Sequence, residues 1–108
     1  MPEDLPISIT VGAHERWTVM RVVGDLDMAT APLLEKSAGE IDGSLAIEVS
    51  GVRFIDSSGL RALFYINETT DQVVLVSPSA FVKRILDLTA MTQVFAVAED
   101  IEALTDPA

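Results

Sequence analysis

The sequence contains no cysteine, a single histidine and few basic residues, and each scarcity closes a class of function. Without cysteine there is no disulfide framework, no thiol nucleophile and no thiolate metal site. A Ser-His-Asp triad would have to use His14, and no Gly-x-Ser-x-Gly elbow accompanies it. Gly43 and Gly51 are isolated, so no Gly-rich phosphate loop is present. No apolar stretch approaches the ~20 residues of a membrane-spanning helix. Residues 1–6, Met-Pro-Glu-Asp-Leu-Pro, lack the basic start and apolar run of a signal peptide. Seven Lys and Arg face 17 Asp and Glu, a formal charge of -10. A field of that sign repels phosphate backbones and anionic lipid, which argues against nucleic-acid and membrane-surface binding. What is present is globular: 49% hydrophobic and 22% charged residues over 108 positions, enough for one core. The expectation is a soluble, cytoplasmic, acidic single domain spanning residues 1–108, with its core at about 5–104.

Periodicity supplies the elements. Ile7, Ile9 and Val11 alternate with polar residues as in a half-buried strand, and residues 12–16 read as the turn of a hairpin into a second strand at 17–23. Gly24-Asp25-Leu26-Asp27 reads as a break. A helix is predicted over 29–38, with Thr30 a candidate cap and Pro32 tolerated in its first turn. A third strand covers 45–49, and residues 53–57 read as a linker. A helix over about 58–67 follows, with Leu60, Leu63 and Phe64 as its inward stripe. Val73-Val74-Leu75-Val76 has the unbroken apolar character of a strand buried on both faces. A helix over 79–88 with Val82, Ile85 and Leu86 inward, a short strand near 94–97 and a last helix near 100–104 complete the chain. Hairpin first, then alternating helices and strands, implies an α/β domain with a mixed sheet and right-handed parallel crossovers. In such sheets function gathers in the loops at the strand carboxyl ends, here residues 24–27, 50–58 and 77–79.

The most informative of these loops holds Phe54-Ile55-Asp56-Ser57-Ser58-Gly59-Leu60. It places a carboxylate and two hydroxyls where a strand gives way to a helix. Ser57 or Ser58 could cap that helix, and Gly59, with no side chain, would leave its backbone open to another molecule. Taken alone, Asp-Ser-Ser-Gly is a common capping sequence. Its context is specific. Gly24-Asp25-Leu26-Asp27-Met28-Ala29-Thr30-Ala31-Pro32 resembles the opening motif of the STAS domain, and the run from Val49 through Ser50-Gly51-Val52-Arg53-Phe54-Ile55-Asp56-Ser57-Ser58-Gly59-Leu60 resembles that family's signature. Val74-Leu75-Val76-Ser77-Pro78-Ser79 and Val82-Lys83-Arg84-Ile85-Leu86-Asp87-Leu88-Thr89 are similar to its later strand and helix. The likeness is strongest to the bacterial anti-sigma factor antagonist (anti-anti-sigma factor) branch.

That resemblance implies a binding protein, not an enzyme, with no cofactor of its own. In that branch the unphosphorylated antagonist binds an anti-sigma factor, which releases its sigma factor. The anti-sigma factor is also a serine kinase with bound ATP and magnesium, and a phosphatase reverses the mark. The phosphoacceptor follows the motif Asp and maps onto Ser57, with Ser58 on the adjacent hydroxyl position. The implied partner surface comprises Asp25, Asp27, Asp56, Ser57, Ser58, Gly59 and Leu60. An alternative is an adaptor subunit without a phosphorylation switch, such as the STAS partner of an ABC lipid-transport system.

The chain departs from the family pattern in three places. Glu48 stands where relatives often carry Asp. The stretch from Gly59 to Val73 is about one helical turn shorter. Thr89-Ala90-Met91 replaces Thr-Gly-Leu, which suggests a different helix stop. Asp25, Asp27, Glu48 and Asp56 could converge at the sheet's carboxyl edge, but the favoured reading is solvated or capping carboxylates and no metal. Trp17 is expected near the core rim, the methionines as core filler, and the acids over 99–106 on a solvated helix face.

Overall fold

Alternating Ile7 and Ile9 open the first strand of the computed structural model, which describes residues 7–107. Residues 1–6, which lack the pattern of a signal peptide, lie outside the described residues. Strands β1 (Ile7–His14) and β2 (Trp17–Leu26) form an antiparallel hairpin. The expected five-residue turn shrinks to Glu15-Arg16, because Gly12, Ala13 and His14 remain paired with Val19, Thr18 and Trp17. Glu15 takes a left-handed φ of 56° to close so short a connection.

Two further expectations are corrected at the far end of the hairpin. Strand β2 does not stop before Gly24; it continues to Leu26, and a register shift beside Gly24, whose φ is 123°, absorbs the irregularity. Its partner β3 runs from Ser44 to Ile55, so the supposed linker at 53–57 is mostly strand. Ser50, Gly51 and Arg53 disguise the alternation, yet Val52 and Ile55 are buried among the core residues. Length here comes from pairing: Gly51, Val52, Phe54 and Ile55 lie opposite Val23, Gly24, Asp25 and Leu26.

The remaining elements are α1 (Ala31–Gly39), α2 (Ser57–Thr69), β4 (Gln72–Val76), α3 (Ala80–Leu88) and β5 (Ala96–Ala98), with single 3-10 turns at Met91–Gln93 and Ile101–Ala103. The last of these stands where a helix over 100–104 was expected. The sheet order is β1-β2-β3-β4-β5, parallel from β2 onward. A mixed five-stranded α/β sheet is the architecture the periodicity implied.

One face of the sheet carries the helices. Met20, Val22, Leu26, Leu45, Ile47, Val49 and Leu75 pack against Leu34, Leu63, Ile66, Val82 and Leu86. The other face has a smaller cluster, Trp17, Ala46, Val74 and Val76, covered by Ile101 and Leu104 of the C-terminal segment. The Trp17 indole Nε1 donates to the Thr105 carbonyl at 2.7 Å, so this residue anchors a second core instead of edging the first. Of the methionines, Met20 is core but Met28 is 76% exposed, against expectation.

At the end of α3 an alanine stands where the family pattern suggests glycine. Ala90 itself adopts the left-handed conformation, φ 61°, that glycine usually supplies after a helix. For a residue with a Cβ that conformation costs roughly 1 kcal/mol. Ala90→Gly is therefore expected to stabilise the fold by about 0.5–1 kcal/mol despite glycine's greater unfolded entropy. Urea denaturation checks this; a lower midpoint for the variant would contradict it.

Candidate functional site at the start of the second helix

Strand β3 outruns β4. Its last pairing with β4 is Glu48 opposite Val76, whereas pairing with β2 continues to Leu26 opposite Ile55. The chain thus leaves β3 beyond the β4 edge, and α2 starts two residues later. Asp56 makes the junction. Its N–H donates to the Leu26 carbonyl at 3.0 Å, its Oδ1 accepts the Gly59 N–H at 3.0 Å, and its carbonyl accepts the Leu60 N–H at 3.0 Å. The cap is therefore Asp56, not Ser57 or Ser58, and the helix begins one residue earlier than expected. Ser57 is exposed and Ser58 half-buried. No hydrogen bond of either hydroxyl is found among the described residues.

Gly59 corrects a second expectation. It is buried, and a Cβ there would lie 2.5 Å from the Leu26 carbonyl oxygen and 2.8 Å from the Leu26 Cβ. Its lack of a side chain serves close packing of α2 on the β2 backbone, not access from outside. The helix registers around that contact: Gly59, Ala62, Leu63 and Ile66 face the core at i, i+3, i+4 and i+7. Phe64, expected inside, is 39% exposed, and Leu60 is partly buried against the core edge.

The neighbouring loop is built from Asp25, Asp27 and Thr30. The Asp27 Oδ1 accepts the N–H groups of Ala29 and Thr30 at 3.0 and 3.2 Å. Buried Thr30 does not cap α1 with its side chain; its hydroxyl donates to the Asp25 carbonyl at 2.7 Å and accepts the Asp27 N–H at 2.9 Å. The Asp25 carboxylate lies 3.7 Å from Arg53 Nε. Glu48 does not join these acids. It sits in the body of β3 on the Ala46 side of the sheet, buried, 3.5 Å from Arg21 Nε and accepting the Ser50 hydroxyl at 2.6 Å. The four carboxylates therefore hold separate structural posts, and no cluster suited to a metal ion is found among the described residues.

Sequence reasoning missed one feature of the site. Ser57, Leu60, Arg61 and Phe64 line an open groove of about 310 Å³ with Thr89 and Met91 from the end of α3. A helix starting at Ser57 puts residues 57, 60, 61 and 64 on one face, so the signal existed once the start was known. His14 instead lines a hollow on the hairpin with Thr10, Arg21 and Ile101. It precedes β2, while Ser57 follows the far end of β3, a separation of roughly 30 Å at the strand rise, too far for a triad.

These features define a class: an α/β domain with helices on one sheet face and an uncommitted serine presented at a capped helix start. The chain belongs to the STAS domain family, whose family model matches residues 8–104. It is 30% identical to the anti-sigma-F factor antagonist RsfB of Mycobacterium tuberculosis, across 92% of this chain and 88% of that one. The crystal structure of an anti-sigma factor antagonist from Mycobacterium paratuberculosis superposes with a TM-score of 0.81 at 28% identity, covering 89% and 88% of the two chains. The fold is also shared with a sulfate transporter family protein from Wolinella succinogenes, TM-score 0.68 at 18% identity over 79% and 78% of the chains. Among the described residues no helix is long and apolar enough to cross a membrane.

The packing at Gly59 yields a sharp expectation. Alanine is the better helix former by nearly 1 kcal/mol, yet Gly59→Ala should destabilise the domain by at least ~2 kcal/mol, because its methyl meets fixed backbone. Asp56→Ala should cost about 1 kcal/mol through the lost cap. Chemical denaturation reads both; a Gly59→Ala variant as stable as the parent would refute the close contact.

Proposed function

We propose that this protein is an anti-sigma factor antagonist whose unmodified form binds an anti-sigma factor and so frees a sigma factor in the cytoplasm. The partner doubles as a serine kinase, phosphate on Ser57 switches binding off, and a phosphatase restores it. The observation that carries the reading is the Ser57 side chain: exposed, without a hydrogen-bond partner among the described residues, and held at the first turn of a helix anchored by Asp56 and Gly59. The similar mycobacterial proteins, named as anti-sigma factor antagonists, support the same role. Binding, not catalysis, is the activity; the lone histidine stands far from the serine.

The contact surface comprises Asp56, Ser57, Ser58 and Leu60 with the Asp25 and Asp27 loop beside them. Gly59 contributes by letting the helix lie flat. A phosphate adds about -1.5 to -2 charges at neutral pH. Facing one partner carboxylate at about 6 Å, with an effective dielectric near 40, it costs roughly 2–3 kcal/mol, and affinity falls about 30- to 100-fold.

Incubation with candidate anti-sigma kinases and ATP, followed by intact mass and peptide mapping, should place one phosphate on Ser57. Ser57→Ala should bind the anti-sigma factor constitutively and Ser57→Asp poorly. Phosphate mapped only to Ser58 or a threonine would overturn the site. Binding that ignores the state of Ser57 would favour an unswitched adaptor.

A further inference from the structure

We propose that Arg61 is the counter-charge of the switch, pairing with phosphate on Ser57 and withdrawing its own positive charge from the groove beside it. This rests on the proposed role of Ser57. Ser57 and Arg61 are separated by one helical turn and line the same groove. With the anion N-terminal to the cation at i and i+4, the pair has the more favourable order on a helix. Part of the usual refuge for a phosphate at a helix start is taken: the Asp56 carboxylate already accepts the Gly59 N–H. A phosphate on Ser57 therefore meets a negative cap on one side, and a cation on the other would stabilise it.

Arg61 is free to serve. It is exposed, and the three ion pairs found among the described residues use Arg21, Arg53 and Lys83 instead. The other groove residues, Leu60, Phe64, Thr89 and Met91, carry no charge. Among the described residues Arg61 is thus the groove's one charged residue, in a chain of net charge -10. Before modification its guanidinium can meet an acidic group on a docked partner. Afterwards it bonds the phosphate, where its planar fork matches two oxygens. One modification then both adds negative charge and removes the positive charge a partner would use.

The test installs phosphoserine at position 57 during translation, so no kinase is required, and follows the 31P chemical shift against pH. Arg61→Gln and Arg61→Ala should each raise the midpoint of phosphate ionisation by roughly half a pH unit. Arg61→Lys should raise it less, and Arg84→Gln, on exposed α3 surface, should leave it unchanged. Gln and Ala are good helix formers, and a thermal melt confirms that each variant is folded. Midpoints equal to the parent's in both neutral variants would overturn the proposal. Failure of any kinase to modify Ser57 would instead overturn the switch reading, and it is read by mass, independently of this titration.

Discussion

The structure turns on the approach of Gly59 to the Leu26 backbone. A single methyl at position 59 would come within 2.5 Å of the Leu26 carbonyl oxygen, the same atom that accepts the Asp56 N–H. This contact fixes the start of α2 against the end of β2, and the rest of the helix follows from its period. Ala62, Leu63 and Ile66 turn inward with Gly59, so Ser57, Arg61 and Phe64 turn outward. The serine is presented because the glycine beside it is not.

Rigidity at this point suits a charge-based signal. Asp56 caps the helix start from within the chain, Thr30 and Asp27 tie down the adjoining loop, and none of these bonds uses the Ser57 or Arg61 side chain. A phosphate can act at the surface, where roughly 2–3 kcal/mol of repulsion against one carboxylate is large for binding. The same charge, placed on Ser57, would lie outside the cluster of about twenty buried apolar side chains.

Much of this was legible in the residues. Ile7 and Ile9, the unbroken apolar run Val73-Val74-Leu75-Val76 and the stripe Val82 and Leu86 each announced an element by apolar pattern alone. The Asp56-Ser57-Ser58-Gly59 segment marked the point where strand gives way to helix. What stayed hidden depends on contacts between distant segments. Strand β3 reaches Ile55 only because β2 pairs with it across Ser50, Gly51 and Arg53, residues whose local pattern argues for a loop. Leu60 and Phe64 share a face in any helix through this segment; which face turns inward was set by the contact of Gly59 with Leu26, and it leaves Phe64 outside. The role of Gly59 could not be seen without Leu26 beside it, and the left-handed Ala90 takes a conformation that glycine more often supplies.

The central claim is that modification of Ser57 changes what the surface offers while the helix start beneath it stays intact. Amide hydrogen exchange at Gly59 and Leu60 tests it directly, since their N–H groups bond the Asp56 carboxylate and carbonyl. Protection at both amides should agree, within a factor of about three, between the unmodified protein and protein carrying phosphoserine at position 57. Loss of protection by about an order of magnitude or more would contradict the claim, because phosphate would then displace the cap and act by loosening α2.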